Sequence, residues 1–598
     1  MRKQVEQLRE LMKSEKVDIY LVNSADAHNS EYVSEHDKER EWLTGFTGSN
    51  GTAVITAREA LLWTDGRYYI QCEKELQNTG ITMMKMGESD CIRISDYIAG
   101  IVNASNKTVT LGFAGSNVTR ADIDIISKKI KNGRLRISTK DLIAEIWQDR
   151  PEAVHAPVWI HDEQFCEVSV ADKISAIRDV MKNSNCSHLL ISTPADIMWL
   201  YNVRGGDVEY NPVALSYAFV TDDDAFVFLD GRSISPQVRS YFISNRIILC
   251  EYDDFYDFLK EYPYSGKMML DDKQTSYLAY SIIEKNVGTD NIVVHTNPTE
   301  DMKAVKNETE IKMMKEYFIK DSAAMTRYLY YLKTSAPESL NEYECARKCD
   351  ELRKQIDDFI CPSFATIAAY GENAAMMHYE ATKDSYAEVH EGNMLLTDCG
   401  GQYPGATTDV TRTVIIGKAT DKMKRHYTLV LKGMLNLMNA IFIEGCTGRN
   451  VDILAREPLW EEFVDYKCGT GHGVGYCLGV HEGPQSVRWR YTDGHEATLR
   501  PGMTITDEPG VYIEGEYGIR TENTLLVVEK GKSADGTFLG FEPLTYVPLD
   551  PELIDASLLD KRDIKQLNEY NRMVYDTIAP LLTEEEAEWL AKNCNKLL

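Results

Sequence analysis

The chain has 598 residues, 43% of them apolar and 26% charged, a globular composition with enough apolar matter for several cores. Acidic residues outnumber basic ones by 93 to 65, a net charge of −28, and no run of Lys or Arg is long enough to displace counterions from a phosphate backbone. Binding to nucleic acid or to anionic lipid is thereby excluded.

The opening MRKQVEQLRELMKSEKVDIY reads as a charged amphipathic helix without the apolar h-region of a signal peptide. No window approaches roughly 18 uninterrupted apolar residues, so no membrane span is expected. The 13 cysteines are scattered and do not follow zinc-site spacing; Cys345 and Cys349, four apart, read as reduced thiols on a helix. A cytoplasmic protein is expected.

A weak internal repeat organises the first half. VDIYLVNSADAH, WLTGFTGSNG and TAVITAREALLWTDGRYY are echoed by SHLLISTPADIM, WLYNVRGGDV and ALSYAFVTDDDAFVFLDGRSI. Each copy reads as helix, apolar strand, Trp-Leu segment, Gly-rich turn and two strands ending in Asp-Gly-Arg. The two triplets start at Asp65 and Asp230, about one domain length apart. Two related α/β domains are expected over 1–152 and 153–305, the second fading near Asn297-Pro298-Thr299. A long helical pattern with Thr309 as N-cap then opens a third domain, 306–598, in which helices alternate with antiparallel strand pairs. The chain ends in the helical pattern TEEEAEWLAKNCNKLL.

The third domain carries the chemistry. MLLTDCGGQYPGATTDVTRTVIIG reads as a hairpin, and Asp398 and Asp409 are equidistant from a turn centred between Tyr403 and Pro404. The two carboxylates are therefore expected to face each other about 5 Å apart, a bulge shifting this by one. MTITDEPGVYIEGEYGIRTENTLLVV repeats the construction, with Glu508 and Glu522 equidistant from Gly515. Facing carboxylates repel, so each pair either shares a proton or holds a cation.

Between the hairpins lies YKCGTGHGVGYCLGVHEGP, where glycines at 469, 471, 473 and 475 allow tight bending and bring His472 into a confined site. No βαβ unit surrounds it, so it is not a dinucleotide fingerprint. A histidine in such a loop is often a structural hydrogen-bonder, but four converging carboxylates favour a metal ligand. Four carboxylates and a neutral imidazole match two divalent ions in charge, and oxygens with one nitrogen suit Mn, Co, Fe or Zn. Two such ions would lower the pKa of a water between them and clamp the tetrahedral intermediate of peptide hydrolysis.

The set TDCGG, TTDVTRT, GTGHGVG, VHEGP, TDEPGVY and GIRTEN closely resembles the metallopeptidases of the pita-bread (methionine aminopeptidase/creatinase) fold. With ADAHNSEY, WTDGRYY, RGGDVEYNP and FEPLTYVPL, nearly the whole chain is similar to the three-domain aminopeptidase P (Xaa-Pro aminopeptidase) family. The resemblance implies two creatinase-like N-terminal α/β domains, a pita-bread catalytic domain of α+β type, and two divalent metals, usually manganese, with cobalt or zinc as alternatives. By position it gives Asp398 to one metal and His472 to the other, with Asp409 and Glu522 bridging. Glu508 would ligate the His472-side metal and shuttle a proton. His378 in MMHYEA and His481 would orient the scissile carbonyl, contact substrate and stabilise the intermediate, and Arg520 would act beside the metals as a substrate-binding residue, on the strand face it shares with Glu522.

The implied reaction removes the first residue of peptides whose second residue is proline, in a homodimer. Such a bond has no amide N–H and a fixed proline φ, so a ring-shaped pocket and a polarised carbonyl replace the usual N–H grip. Arg67 in WTDGRYY is a candidate at the substrate's amine end, with a salt bridge inside its own domain as the equal alternative. One departure stands out: four residues before the metal histidine the family carries another histidine, where this chain has Cys468, also a substrate-side candidate. A thiol there is smaller and a weaker hydrogen bonder, and it is open to oxidation. The rival readings are a prolidase limited to Xaa-Pro dipeptides, metal-free creatinase-like hydrolysis, and a non-catalytic pita-bread binding module. The middle domain argues against the first, and the intact ligand positions against the other two.

Overall fold

The computed structural model describes residues 2–334, 340–491 and 496–595, so the last three residues of the expected C-terminal helix lie outside it. Chain contacts divide the molecule into one unit of Met1–Glu163 with Val168–Thr299 and a second of Gln164–Glu167 with Glu300–Leu598. No helix among the described residues is long and apolar enough to cross a membrane.

The first unit contains the repeat as two six-stranded sheets of one topology. The first runs Thr82–Lys85, Ala60–Thr64, Thr52–Thr56, Ile19–Asn23, Thr108–Gly112, Arg134–Ser138. The second runs Ile248–Glu251, Ala225–Leu229, Tyr217–Thr221, His188–Ile191, Met268–Leu270, Ile292–Val294. In both, the three consecutive central strands pair antiparallel and the outer ones parallel. The Asp-Gly-Arg triplets also behave alike. Arg67 Nε and an Nη reach the two oxygens of Asp65, each at 2.9 Å. Arg232 makes the same fork on Asp230, at 2.9 and 2.6 Å. Each triplet is thus a turn closed by its own bidentate ion pair.

In the second unit the long helix spans Glu308–Thr334, and its cap is Asn307 rather than Thr309. The Asn307 side chain accepts from the Glu310 amide while the Glu310 carboxylate accepts from the Asn307 amide, both at 2.9 Å, a reciprocal capping box. Thr309 instead donates to Glu167. Helices Asp421–Met438 and Gly448–Trp460 line the largest core, together with Met503, Ile505, Leu525, Val527, Leu539 and Phe541 from the strands around them.

The C-terminal segment is built into the same body. Arg412, fully buried on strand Val410–Ile416, donates to the carbonyls of Val547 and Pro548 and to the Tyr570 hydroxyl, at 2.8, 3.1 and 2.8 Å. It also donates to the carbonyl of Glu522, so helix Lys561–Ile578 and the carboxylate hairpins share one guanidinium. The final helix, Glu584–Asn593, is capped by Thr583 and Glu586.

Candidate metal centre

The first carboxylate hairpin is two residues out of the expected register. Tyr403 pairs with Ala406, so Pro404 and Gly405 form the turn and Asp398 faces Thr411. Proline supplies the fixed φ of the first central turn position, and Gly405 lets the turn pack closely on the long helix, since a Cβ there would lie 2.7 Å from Tyr317 Cε2. Asp409 therefore sits diagonally from Asp398, nearer the turn. Tyr403 anchors the tip through a 2.7 Å hydrogen bond to buried Asp321, itself paired with Arg353 at 2.8 Å. The second hairpin keeps the expected register: Gly510 pairs with Arg520 and Asp507 with Asn523, both symmetric about Gly515.

Three of the four carboxylates occupy interruptions in these ladders. Asp409 lies between paired strands Ala406–Thr407 and Val410–Ile416, and Glu508 and Glu522 lie between the two ladders of the second hairpin. Freed backbone groups there bond to neighbouring segments instead. The Glu522 amide donates to Thr411 O at 3.1 Å and the Glu508 amide to Thr470 O at 2.8 Å, while Asp409 O accepts from Thr524 Oγ1 at 3.1 Å. These cross-bonds draw both hairpins and the histidine loop to one point.

The glycines of that loop serve close approach rather than bending, since none has a positive φ. A Cβ on Gly471 would lie 1.9 Å from Thr506 O, and one on Gly473 2.0 Å from Glu482 O. The His472 amide donates to Thr506 Oγ1 at 3.1 Å, and its Nδ1–H donates to the Gly473 carbonyl at 2.9 Å. Nε2 is left with its lone pair, 3.4 Å from Asp409 Oδ2 and 3.6 Å from Glu508 Oε1. Ligand atoms of Asp409, His472 and Glu522 all fall within 4.8 Å of one another.

Asp398 joins through Arg520. The guanidinium donates to Asp398 Oδ2 and, at 2.8, 3.1 and 3.4 Å, to Tyr512 Oη, Thr411 Oγ1 and Met377 O. The other Asp398 oxygen, Oδ1, is buried and accepts no hydrogen bond among the described residues. Thr411 also donates to Glu522 Oε2 at 2.7 Å. Burial, then the charges of Asp398 and Glu508, push the Asp409 carboxyl well above the usual carboxylate range, and burial with Asp409, Glu508 and Asp398 does the same to Glu522.

The donor set fits divalent cations. It offers an orphaned carboxylate oxygen, a crowded cluster of oxygens in need of countercharge, and one imidazole lone pair turned inward by its own second nitrogen. Among the described residues no thiol belongs to it.

The other expected residues distribute around this core. The His481 ring stands edge-on to His472 with centroids 4.3 Å apart. His378 follows Met377, whose carbonyl meets Arg520, and Tyr379 beyond it is tied to Glu342 at 2.7 Å. Cys468 is half-buried; its carbonyl accepts from Arg456 at 2.7 Å, and its thiol is one of the lesser influences raising the Tyr512 hydroxyl, after burial. Arg67 belongs to the first unit and is engaged by Asp65. Sequence reasoning missed Thr411, Thr506, Tyr512, Lys303, Lys306 and Glu482. Thr411 alone left a signal, since alternation places Asp409, Thr411 and Thr413 on one strand face.

Comparison with known proteins gives this geometry a family. Residues 312–529 match the model of metallopeptidase family M24 and 537–597 that of its C-terminal region. The creatinase/prolidase N-terminal domain is matched by 4–146, and a second model of that description by 149–310. Among similar proteins, the probable Xaa-Pro aminopeptidase P of Coprinopsis cinerea is 36% identical, with 99% of this chain and 97% of that protein covered. Aminopeptidase P1 of Arabidopsis thaliana is 35% identical over 98% of each. The crystal structure of the X-prolyl aminopeptidase of Caenorhabditis elegans, described as a cytosolic enzyme with a di-nuclear active site, superposes with TM-score 0.94 at 33% identity, covering 100% of this chain and 99% of that one. A Xaa-Pro dipeptidase from Bacillus anthracis shares the fold over 64% of this chain and 99% of its own, at 24% identity and TM-score 0.51. Two six-stranded N-terminal sheets, the converging carboxylates and full-length relatedness lead to one conclusion: the chain belongs to the Xaa-Pro aminopeptidase P group of the M24 metallopeptidases.

Proposed function

We propose that the protein is a metal-dependent aminopeptidase that hydrolyses the bond before a proline in second position, releasing the N-terminal residue. The observation that carries this is the convergence of Asp409, His472 and Glu522 within 4.8 Å, with Glu508 and Asp398 beside them, in a chain related along its full length to named Xaa-Pro aminopeptidases. Asp398, Asp409, His472, Glu508 and Glu522 would hold two divalent ions, manganese first among candidates. When bound, these supply Lewis-acid polarisation of a carbonyl and acidify water.

The chain's own residues divide the remaining work. Glu508 is the most open of the carboxylates whose exposure bears on the choice, its side chain 21% exposed against 6% for Asp409 and 12% for Asp398. It is therefore the group that can take a proton from water and return it to the leaving amine. The engagement of Arg520 by Asp398, Tyr512, Thr411 and Met377 supports a role in holding Asp398 in place over a grip on substrate. His378 and His481 orient the scissile carbonyl. Because an Xaa-Pro bond has no N–H to grip, recognition falls on that carbonyl, the free amine and the ring.

The pairing with Asp65, repeated at Asp230 and Arg232, supports a turn-closing role for Arg67 over a substrate contact. The division into 1–152, 153–305 and 306–598 is supported by the two sheets and by the ranges of the matched family models. A cytoplasmic homodimer is the assembly expected from the family, and the worm relative described as cytosolic supports the location.

The test is release of the N-terminal residue from an Xaa-Pro-Xaa tripeptide by metal-free protein and after adding Mn, Co or Zn, with Asp409→Ala as control. Metal-dependent release that the variant lacks supports the proposal. Cleavage of Xaa-Pro dipeptides alone would make it a prolidase, and no release by folded protein with any metal would leave a binding module. Cys468→His should alter the preference between short and long Xaa-Pro peptides; unchanged kinetics would remove Cys468 from the substrate side.

A further inference from the structure

Two lysines at the start of the second unit reach the loop that carries the site histidines. Lys306 Nζ lies 2.6 Å from Glu482 Oε1, and Lys303 Nζ 3.1 Å from Oε2. The three side chains are buried, 1%, 7% and 3% exposed for Lys306, Lys303 and Glu482. Burial alone would raise the Glu482 carboxyl, but the two ammonium groups bring it below its ordinary value. The lysines are themselves held by their own segment: the Lys306 amide donates to Gly502 O at 2.9 Å, beside the capping box that starts the long helix.

Buried ion clusters are weak sources of stability, because the desolvation of the charges offsets most of their attraction. Geometry gives this one another use. Glu482 follows His481, whose ring stands against His472. The Glu482 amide donates to the Gly473 carbonyl at 2.8 Å, and that same carbonyl accepts Nδ1–H of His472 at 2.9 Å. The approach is possible only because residue 473 lacks a Cβ. A chain of contacts therefore runs from the two ammonium groups through the Glu482 carboxylate and backbone to the carbonyl that orients His472. A shift of Glu482 would move His481 directly and His472 through their shared acceptor.

We propose that Lys303 and Lys306, acting through Glu482, are positioning residues that set the orientation of His472 and the placement of His481. The catalytic consequence rests on the aminopeptidase reading above; the geometric one does not. The test replaces the cluster in the full-length protein with apolar groups of similar size, Lys303→Met with Lys306→Met and Glu482→Leu, an exchange that commonly leaves stability unchanged or improved. Titration of the metal-free protein with Co2+, followed by visible absorption, should show affinity weakened about 10-fold or more. After metal loading, kcat on an Xaa-Pro-Xaa tripeptide should fall by a similar factor while KM changes less. A folded triple variant with wild-type Co2+ affinity and wild-type kcat would overturn the proposal.

If the triple variant does not fold, Lys306→Arg decides, because it keeps the charge and displaces the donor. Lowered Co2+ affinity and kcat at unchanged Tm supports positioning, and wild-type values of both overturn it. Failure of the aminopeptidase reading would show separately, as wild-type protein that releases nothing from the tripeptide with any metal. The Co2+ titration would still decide the positioning role.

Discussion

Replacing Asp409 by asparagine should stabilise the metal-free protein while abolishing its activity. Carboxylate oxygens of Asp409 and Glu522 lie within 4.8 Å of each other in a buried site. Two full charges at that separation, in an effective permittivity of about 20, repel by about 3.5 kcal/mol. Burial and the neighbouring carboxylates raise both groups, so a proton held by the pair relieves this repulsion. A carboxyl whose folded pKa lies above its unfolded value favours folding most at acid pH, and that advantage disappears as pH rises through the folded value. With chelator present, wild-type stability should therefore decline as pH rises above the ordinary carboxylate range, more steeply than that of Asp409→Asn. At the alkaline end the variant should be ahead by up to about 3 kcal/mol. For a unit of this size that is roughly 3 to 6 °C in Tm, readable in thermal scans. Saturating Mn2+ should reverse the order, since wild type gains binding energy that the variant cannot. A variant no more stable than wild type at alkaline pH, or a difference that does not change with pH, would refute the account of the site as a set of carboxylates awaiting cations.

Thr411→Val removes the hydroxyl shared by Glu522 and Arg520, and should lower kcat/KM about 10- to 100-fold with little change in the far-UV spectrum. Arg520→Lys loses the fork between Asp398, Tyr512 and Thr411, and should weaken Co2+ binding by a similar factor, measured by calorimetric titration. Gly471→Ala forces a Cβ against the Thr506 carbonyl and should destabilise the protein by about 1–3 kcal/mol or more, seen as a lower denaturant midpoint. Tyr570→Phe deletes a hydroxyl that Arg412 donates to and that donates to Val547 O at 2.8 Å. It should cost about 1–2 kcal/mol in the same assay, and no change would mean that the C-terminal helix does not brace the carboxylate hairpins.

The sequence alone determined what depends on local periodicity and turn chemistry. Alternating strands around turn-rich segments located both carboxylate hairpins, and the second kept its register because Gly515, at φ 74°, marks the turn centre. The repeat was legible because in each sheet two strands joined by a tight turn, Thr52–Thr56 with Ala60–Thr64 and Tyr217–Thr221 with Ala225–Leu229, lead into the same Asp-Gly-Arg triplet. Register in the first hairpin was not, because both the Tyr403-Pro404 and the Pro404-Gly405 centres are compatible with strand alternation, and only packing of the turn selects one.

Tertiary structure decided everything that joins residues far apart in the chain. Lys306 meets Glu482 across 176 positions, Arg412 meets Tyr570 across 158, and Arg520 meets Asp398 across 122. The pairing itself leaves no local signal, even where one member such as Asp398 stands out, because a buried charge is tolerated only where the fold supplies its partner. The same reason separates the two histidines: His472 stood out by its glycines, whereas the cluster that orients it exists only once the start of the second unit lies against the loop between the hairpins.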